Sequence, residues 1–125
     1  MKARVLTAPA QDEYFFEEGC YILELSNSPD DPEASIARVR VEAGVTTRLH
    51  RLQGVAERYV ILQGRGEVEC GVALRRVVSA GDVVLIPPRC AQRIRNPGKE
   101  ELIFLAICTP RFTRDCYEDI DKPSG

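Results

Sequence analysis

The side chains best suited to chemistry in this sequence are its only histidine, His50, and a glutamate seven positions later, Glu57. Histidine titrates near neutral pH and is the commonest metal ligand, and a glutamate in a cleft can serve as an acid or a base. With a single imidazole, one subunit cannot build a 2-His-1-carboxylate iron site. No G-x-S-x-G segment is present, which argues against a hydrolase of the Ser-His-Asp type. The simpler alternative is a half-buried histidine bonded to a neighbour and a surface glutamate paired with an arginine such as Arg58.

Composition and charge narrow the class of protein. The chain has 125 residues, enough for one domain, with a net charge of −2 and a pI of about 5.5. A slightly acidic protein is not expected to have the basic face that binding to nucleic acid requires. No apolar run approaches the ~20 residues of a membrane span, and residues 1–10 hold no stretch long enough for a signal peptide. We therefore expect no nucleic-acid partner, no membrane partner and a cytoplasmic location.

The five cysteines indicate free thiols rather than a structural framework. Their number is odd and no C-x-x-C spacing occurs, so disulfides or a thiolate zinc site are not expected. Cys90 has two interpretations: a soft ligand or nucleophile, or a buried inert thiol, which we favour.

Short β-type runs separated by Gly, Pro and Asn turns must position these groups. The predicted strands are 20–25, 36–41, 45–52, 58–62, 67–70, 74–78, 83–86, 91–95 and 102–108. No helical period appears before the tail, where Thr113 is placed to cap a short helix with Cys116, Tyr117 and Ile120 on one side. The pattern favours an all-β sandwich or barrel. We expect an N-terminal arm over 1–18, a barrel over 19–112 and a C-terminal tail over 113–125.

Seven residues follow the spacing of the two signature motifs of the cupin superfamily. They are Gly44, His50, Glu57 and Gly64 in the first motif, and Gly81, Pro87 and Asn96 in the second. The chain departs from the motifs at three positions, because Leu52 and Gln92 replace histidines and Arg89 replaces a glycine. The segment 108–112 and the residues after it also resemble the ending of small single-domain cupins, the type-2 conserved-barrel group.

The resemblance implies an antiparallel jelly-roll β-barrel with a divalent metal inside. Carried over by position, the metal ligands are His50, Glu57 and Gln92, with water in the remaining positions. One imidazole, one carboxylate and one amide oxygen suit Mn, Fe, Ni or Zn. Glu57 is also the candidate catalytic residue, acting as a base. The alternative for Gln92 is a polar filler that took the place of a histidine when metal binding was lost.

The pocket around these residues follows from strand geometry. Side chains two apart share a face, so Arg48 and Leu52 are expected to point the same way as His50. Cys90 shares a face with Gln92 on a later strand in the same way. Two aromatic residues are expected to fill the barrel and shape the pocket, namely Tyr59 and Phe104. For Arg48, binding an anionic substrate at the mouth competes with a solvated surface position.

Three functions are compatible with these observations. The first is a metal-dependent site that binds or acts on a small polar molecule. The second is a metal-free binding or sensing module, in which Leu52 makes the cavity more apolar and Gln92 bonds the ligand. The third is a structural protein with a vestigial pocket. The resemblance also implies a homodimer, because open barrel edges are often covered by a second copy.

Overall fold

The computed structural model describes residues 1–121, and nearly all of its regular structure is β-strand. The eleven strands are β1 (Tyr14–Phe16), β2 (Cys20–Ser26), β3 (Ser35–Val41), β4 (His50–Leu52), β5 (Ala56–Gln63), β6 (Arg65–Cys70), β7 (Leu74–Ser79), β8 (Val83–Ile86), β9 (Gln92–Arg95), β10 (Leu102–Thr109) and β11 (Tyr117–Asp119). Two single-turn 3₁₀ helices complete the set, at Ala10–Asp12 and Arg114–Cys116.

The strands pair antiparallel in two sheets. One sheet has six strands in the order β1-β2-β3-β10-β5-β8, and the other has five in the order β11-β4-β9-β6-β7. Neighbours in the sheets are mostly distant in sequence, as expected when strands of a jelly roll cross between layers. The predicted all-β jelly-roll barrel is confirmed.

Alternating burial explains why these segments form strands. β10 buries every second side chain, starting with Leu102 and Phe104, and β5 does the same with Glu57, Tyr59 and Ile61. Side chains two apart therefore face the space between the sheets, where the core forms. On β5 this inward row places a carboxyl group among apolar neighbours, which is the first structural sign of a site.

The motif glycine Gly64 lies where a side chain cannot fit. Its φ is 82°, and a Cβ built there would lie 2.7 Å from the carbonyl oxygen of Glu101. A positive φ favours glycine, and the close approach of a carbonyl oxygen removes the room for any other residue. This position holds the β5–β6 turn against the segment that leads into β10.

The two ends of the chain differ from the sequence expectation. Residues 14–16 of the predicted arm form β1, an edge strand of the six-stranded sheet. In the tail the expected short helix is a single 3₁₀ turn at Arg114–Cys116, and β11 then pairs with β4 in the register Tyr117↔Leu52 and Asp119↔His50. Thr113 makes no capping hydrogen bond through its side chain. The domain boundaries themselves stay a prediction.

The outer surface of the six-stranded sheet carries exposed aliphatic side chains. Leu62, Val83 and Leu85 are 48%, 54% and 71% exposed, and Val60 pairs with Val83 beside them. Apolar groups beside an open sheet edge are often covered by another chain. The homodimer stays a prediction. Within residues 1–121 no helix is long and apolar enough to cross a membrane.

Candidate functional site

His50 is held deep in the barrel by a bond to the backbone. Its side chain is 2% exposed, and its Nδ1 lies 2.8 Å from the carbonyl oxygen of Arg48. A carbonyl oxygen only accepts hydrogen bonds, so Nδ1 must carry a proton and donate it. In the neutral imidazole Nε2 is then the nitrogen with a free lone pair.

The free nitrogen of His50 faces a carboxyl group that the sequence analysis did not identify. Nε2 lies 3.1 Å from Oε1 of Glu18, whose side chain is 12% exposed. A proton on either atom would let it donate to the other, since two lone pairs cannot accept from each other. This close contact is called here the Glu18–His50 pair.

A turn between β1 and β2 brings Glu18 to this place. Gly19 has a φ of 102°, and its amide donates to the carbonyl oxygen of Phe16 at 2.9 Å. The left-handed conformation favours glycine, which explains the residue that follows Glu18. The amide of Arg48 donates to the carbonyl oxygen of Glu18 at 2.8 Å, which ties this turn to the segment that leads into His50.

Glu57 is the second buried carboxyl group. Cys108 Sγ lies 3.8 Å from its Oε2, at the distance of a weak thiol hydrogen bond. The other oxygen, Oε1, is buried and has no hydrogen-bond partner within the described chain. A buried acceptor without a partner costs about 1–3 kcal/mol, so such an atom in a cavity wall points to a ligand that satisfies it.

Burial sets the protonation of all three groups. It raises the pKa of Glu18 to about 7, and it raises the pKa of Glu57 to about 7 with help from the negative charge of Glu18. Burial also lowers the pKa of His50, against the opposing effect of its bond to the backbone carbonyl of Arg48. Desolvation disfavours every charged form, so near neutral pH the site is poised to gain or lose a proton.

The amide oxygen of Gln92 accepts a hydrogen bond from a tyrosine and is not free to bind a ligand. Tyr59 donates its hydroxyl hydrogen to Oε1 of Gln92 at 2.5 Å, and Gln92 is 1% exposed. Gln92 lies directly across from His50 in the β4–β9 pair. The strands thus bring His50 and Gln92 side by side, while Tyr59 holds the amide oxygen.

A cavity of about 60 Å³ lies between the sheets, and the predicted ligand Gln92 is not part of its wall. His50, Glu57 and three of the five predicted pocket residues lie in its wall, the three being Leu52, Tyr59 and Phe104. Glu18 and Tyr117 also belong to the wall and were missed. No motif spacing marks them, because they come from the β1–β2 turn and the C-terminal strand, and only the fold brings them to His50.

The other two predicted pocket residues lie outside the wall. Arg48 Nε donates to Asp119 at 2.7 Å, and its side chain is 43% exposed. The alternation used to place Arg48 beside His50 fails because the regular strand begins at His50. Cys90 packs against the edge of the apolar core. The inert-thiol and surface interpretations therefore describe Cys90 and Arg48 better.

Tyr117 covers the histidine. Its ring stacks on His50 with centroids 5.2 Å apart, and Phe16 meets the same tyrosine edge-on at 5.1 Å. The Tyr117 hydroxyl is buried without a hydrogen-bond partner within residues 1–121. The cavity wall therefore holds an unused hydroxyl as well as the unused oxygen of Glu57.

The predicted metal ligands do not fit a metal as they are arranged. His50 Nε2 lies 3.1 Å from Glu18 Oε1, and Gln92 Oε1 accepts from Tyr59, so two of the three predicted donor atoms already face protein groups. Among the described residues, no group of three or more His, Cys, Asp or Glu side chains is placed to hold a metal ion. Only Glu57 offers a free donor atom.

Comparisons with known proteins agree on the fold. An uncharacterised protein of Methanocaldococcus jannaschii is 30% identical over 110 residues, which cover 86% of this chain and 87% of that protein. Pac13, described as a unique nucleoside dehydratase, superposes with a TM-score of 0.77 at 17% identity, over 94% of this chain and 92% of Pac13. An oxalate decarboxylase of Lactobacillus farciminis gives a TM-score of 0.74 at 24% identity, over 86% of this chain and 33% of that protein. The cupin domain model matches residues 37–108, and the chain belongs to the cupin family.

Proposed function

We propose that this cupin binds a small polar molecule in its barrel and moves protons on it, with the Glu18–His50 pair and Glu57 as the acid and base. The observation that carries the proposal is the contact of 3.1 Å between Glu18 Oε1 and His50 Nε2 in the cavity wall. The backbone bond at Nδ1 fixes the ring, so the proton is exchanged at a defined atom. Positioned side chains of this kind typically accelerate proton transfer by about 10²–10⁴-fold.

The two halves of the site have complementary roles. The Glu18–His50 pair supplies or takes one proton, and Glu57 does the reverse at another atom of the bound molecule. The net reaction is redox-neutral, as in an isomerisation or the elimination of water. Acid–base groups work best when their pKa lies near the working pH, and both carboxyl groups have a pKa of about 7. The fold likeness to a nucleoside dehydratase supports only that such a barrel can host an elimination.

A divalent metal held by His50, Glu57 and Gln92 is a second candidate. The free Oε1 of Glu57 favours it, because a cation would satisfy that atom. The metal would have to displace Glu18 from His50 and Tyr59 from Gln92, or recruit Glu18 as a further ligand.

The single histidine allows a direct test of the two candidates. In protein labelled with ¹⁵N only at histidine, every imidazole signal belongs to His50. We expect Nδ1 to be protonated and the Nε2 signal to move in Glu18→Gln, while Glu118→Gln, on the outer surface, leaves it unchanged. Addition of Mn, Fe, Ni or Zn should not displace the Nε2 signal. Stoichiometric metal bound at Nε2 would overturn the acid–base proposal in favour of the metal site.

Activity can be tested without knowing the substrate. The metal-stripped protein is incubated in D₂O with a set of small polar molecules, and NMR reports deuterium entering C–H positions or water being eliminated. We expect at least a 100-fold loss of exchange in Glu57→Gln and in Glu18→Gln, and no loss in Glu118→Gln. Binding without exchange would instead support the sensing function, and neither binding nor exchange would support the structural one.

A further inference from the structure

The cavity wall is acidic and aromatic, and its only basic side chain among the described residues is the imidazole of His50. Three glutamates line it, namely Glu18, Glu24 and Glu57. The chain has 17 lysine and arginine residues, yet none of those within residues 1–121 lies in this wall. The two arginines nearest the histidine in sequence, Arg48 and Arg51, are paired with Asp119 and Glu118 and do not line the cavity. Above about pH 7, where Glu18 and Glu57 lose their protons, an anionic ligand would meet like charges with no lysine or arginine in the wall to balance them.

Most of the aromatic side chains of the protein face the same space. The chain has four tyrosines, four phenylalanines and no tryptophan, and six of these eight line the cavity. The six are Tyr14, Phe16, Tyr59, Phe104, Phe112 and Tyr117. Aromatic faces attract cations, and the attraction grows when the cation is shielded from water.

The free oxygen of Glu57 gives this wall a point of attachment. Glu57 is 9% exposed, and its Oε1 has no partner among the described residues, so a donor on the ligand is required to satisfy it. An ammonium group has three such donors and a positive charge, and an attached apolar chain would pack on the rings.

We propose that the ligand of this cavity is a small organic amine, bound as the ammonium ion with its charge on Glu57 and its carbon chain against the aromatic wall. This assignment rests on the proposed function, since it names the substrate class of the same site. The cavity of about 60 Å³ restricts the bound part to a few non-hydrogen atoms. At pH 8, Glu18 and Glu57 are mostly ionised, so carboxylates and phosphates are disfavoured by charge.

Matched probes of equal size test the charge directly. The amines from methylamine to butylamine are compared at pH 8 with the alcohols and carboxylates of the same length, by calorimetry and by thermal shift. We expect the best amine to bind at least tenfold more tightly than its alcohol, with no detectable binding of its carboxylate. At ten times its Kd the amine should raise Tm by about 3–5 °C.

Two variants locate the effect. Glu57→Gln should lose at least tenfold in amine affinity while alcohol binding changes less than about threefold, and Glu118→Gln should behave as the wild type. Alcohol binding as tight as amine binding, carboxylate binding, or no binding by any probe would overturn the amine assignment. Amine binding without deuterium exchange would leave this assignment standing and overturn the acid–base proposal, so the two failures are distinguishable.

Discussion

Two glutamates on opposite sides of the barrel wall show how this chain divides its charges. Glu57, inside, has its pKa raised to about 7 by burial. Glu118, outside on β11, has its pKa lowered to about 2 by hydrogen bonds from Arg51 and Gln53. The residue type is the same and the shifts are opposite, so the difference comes from the surroundings alone.

The difference extends beyond this one pair. Outside, carboxylates are matched with arginines, as in Arg40 with Glu13 and Arg93 with Glu69, and the pKa values of both acids are lowered. Inside, Glu18 faces a histidine and Glu57 faces a thiol. The ion pairs of Arg40 and Arg93 lie on the surface, whereas the barrel acids have no arginine partner among the described residues, and the proposed acid–base function depends on this separation.

The largest expected effect is on the pH dependence of stability. Because the folded pKa of Glu57 lies above its unfolded value, its neutral form stabilises the fold below about pH 4.5, and this contribution is lost as pH rises through about 7. A shift from 4.5 to about 7 corresponds to about 3 kcal/mol. Between pH 4.5 and 8, the unfolding free energy of Glu57→Gln should therefore gain about 3 kcal/mol relative to the wild type, measured by urea denaturation.

The outer glutamate is the control for that measurement. Its folded pKa lies below the unfolded value, so its contribution is present above about pH 4.5 and lost only as pH falls towards 2. From pH 5 to 8, the unfolding free energy of Glu118→Gln should therefore vary with pH in the same way as that of the wild type. If the unfolding free energy of Glu57→Gln varied with pH in the same way as that of the wild type, the inner carboxyl group would not be desolvated. The contrast between Glu57 and Glu118 would then be wrong.

The sequence predicted three residues of the candidate site but not Glu18. His50, Glu57 and Gln92 were found because motif spacing reports residues that strand pairing brings together: Gln92 lies across from His50, and His50 and Glu57 share the cavity wall. Glu18 was missed because its contact with His50 depends on where a glycine turn between two strands lies in space. Nothing in the local pattern of residues 14–20 encodes that position.

The pKa contrast was also beyond sequence reasoning. Glu57 and Glu118 each lie next to an apolar residue in a short strand. The periodicity of the sequence therefore does not tell in which direction the pKa of either glutamate shifts. Burial decides the shift for Glu57, whereas for Glu118 it is decided by the guanidinium group of Arg51 across the strand pair, in the register Glu118↔Arg51. That register belongs to β11, in the segment where a short helix was expected.

An effect of intermediate size is expected on the unfolding free energy when the two tyrosines Tyr59 and Tyr117 of the cavity wall are each replaced by phenylalanine. Tyr59→Phe removes the donor to Gln92 Oε1 and leaves that buried oxygen without its partner, at a cost of about 1–3 kcal/mol. Tyr117→Phe removes a hydroxyl that has no partner within residues 1–121, so the unfolding free energy should stay within about 0.5 kcal/mol or rise. Thermal and urea unfolding of both variants check this ranking, and equal losses would contradict the bonding assigned to Gln92.

The smallest expected effect belongs to the outer ion pairs and depends on salt. Arg51 and Glu118 are 36% and 40% exposed, so water and ions weaken their attraction. Glu118→Gln should lower Tm slightly at low ionic strength, and the difference should vanish near 1 M salt, where the Debye length falls to about 3 Å. The pH-dependent gain of Glu57→Gln should persist at the same salt concentration, because it arises from desolvation inside the barrel rather than from a screened surface charge. If salt abolished both effects equally, the inner carboxyl group would have to be in contact with bulk solvent.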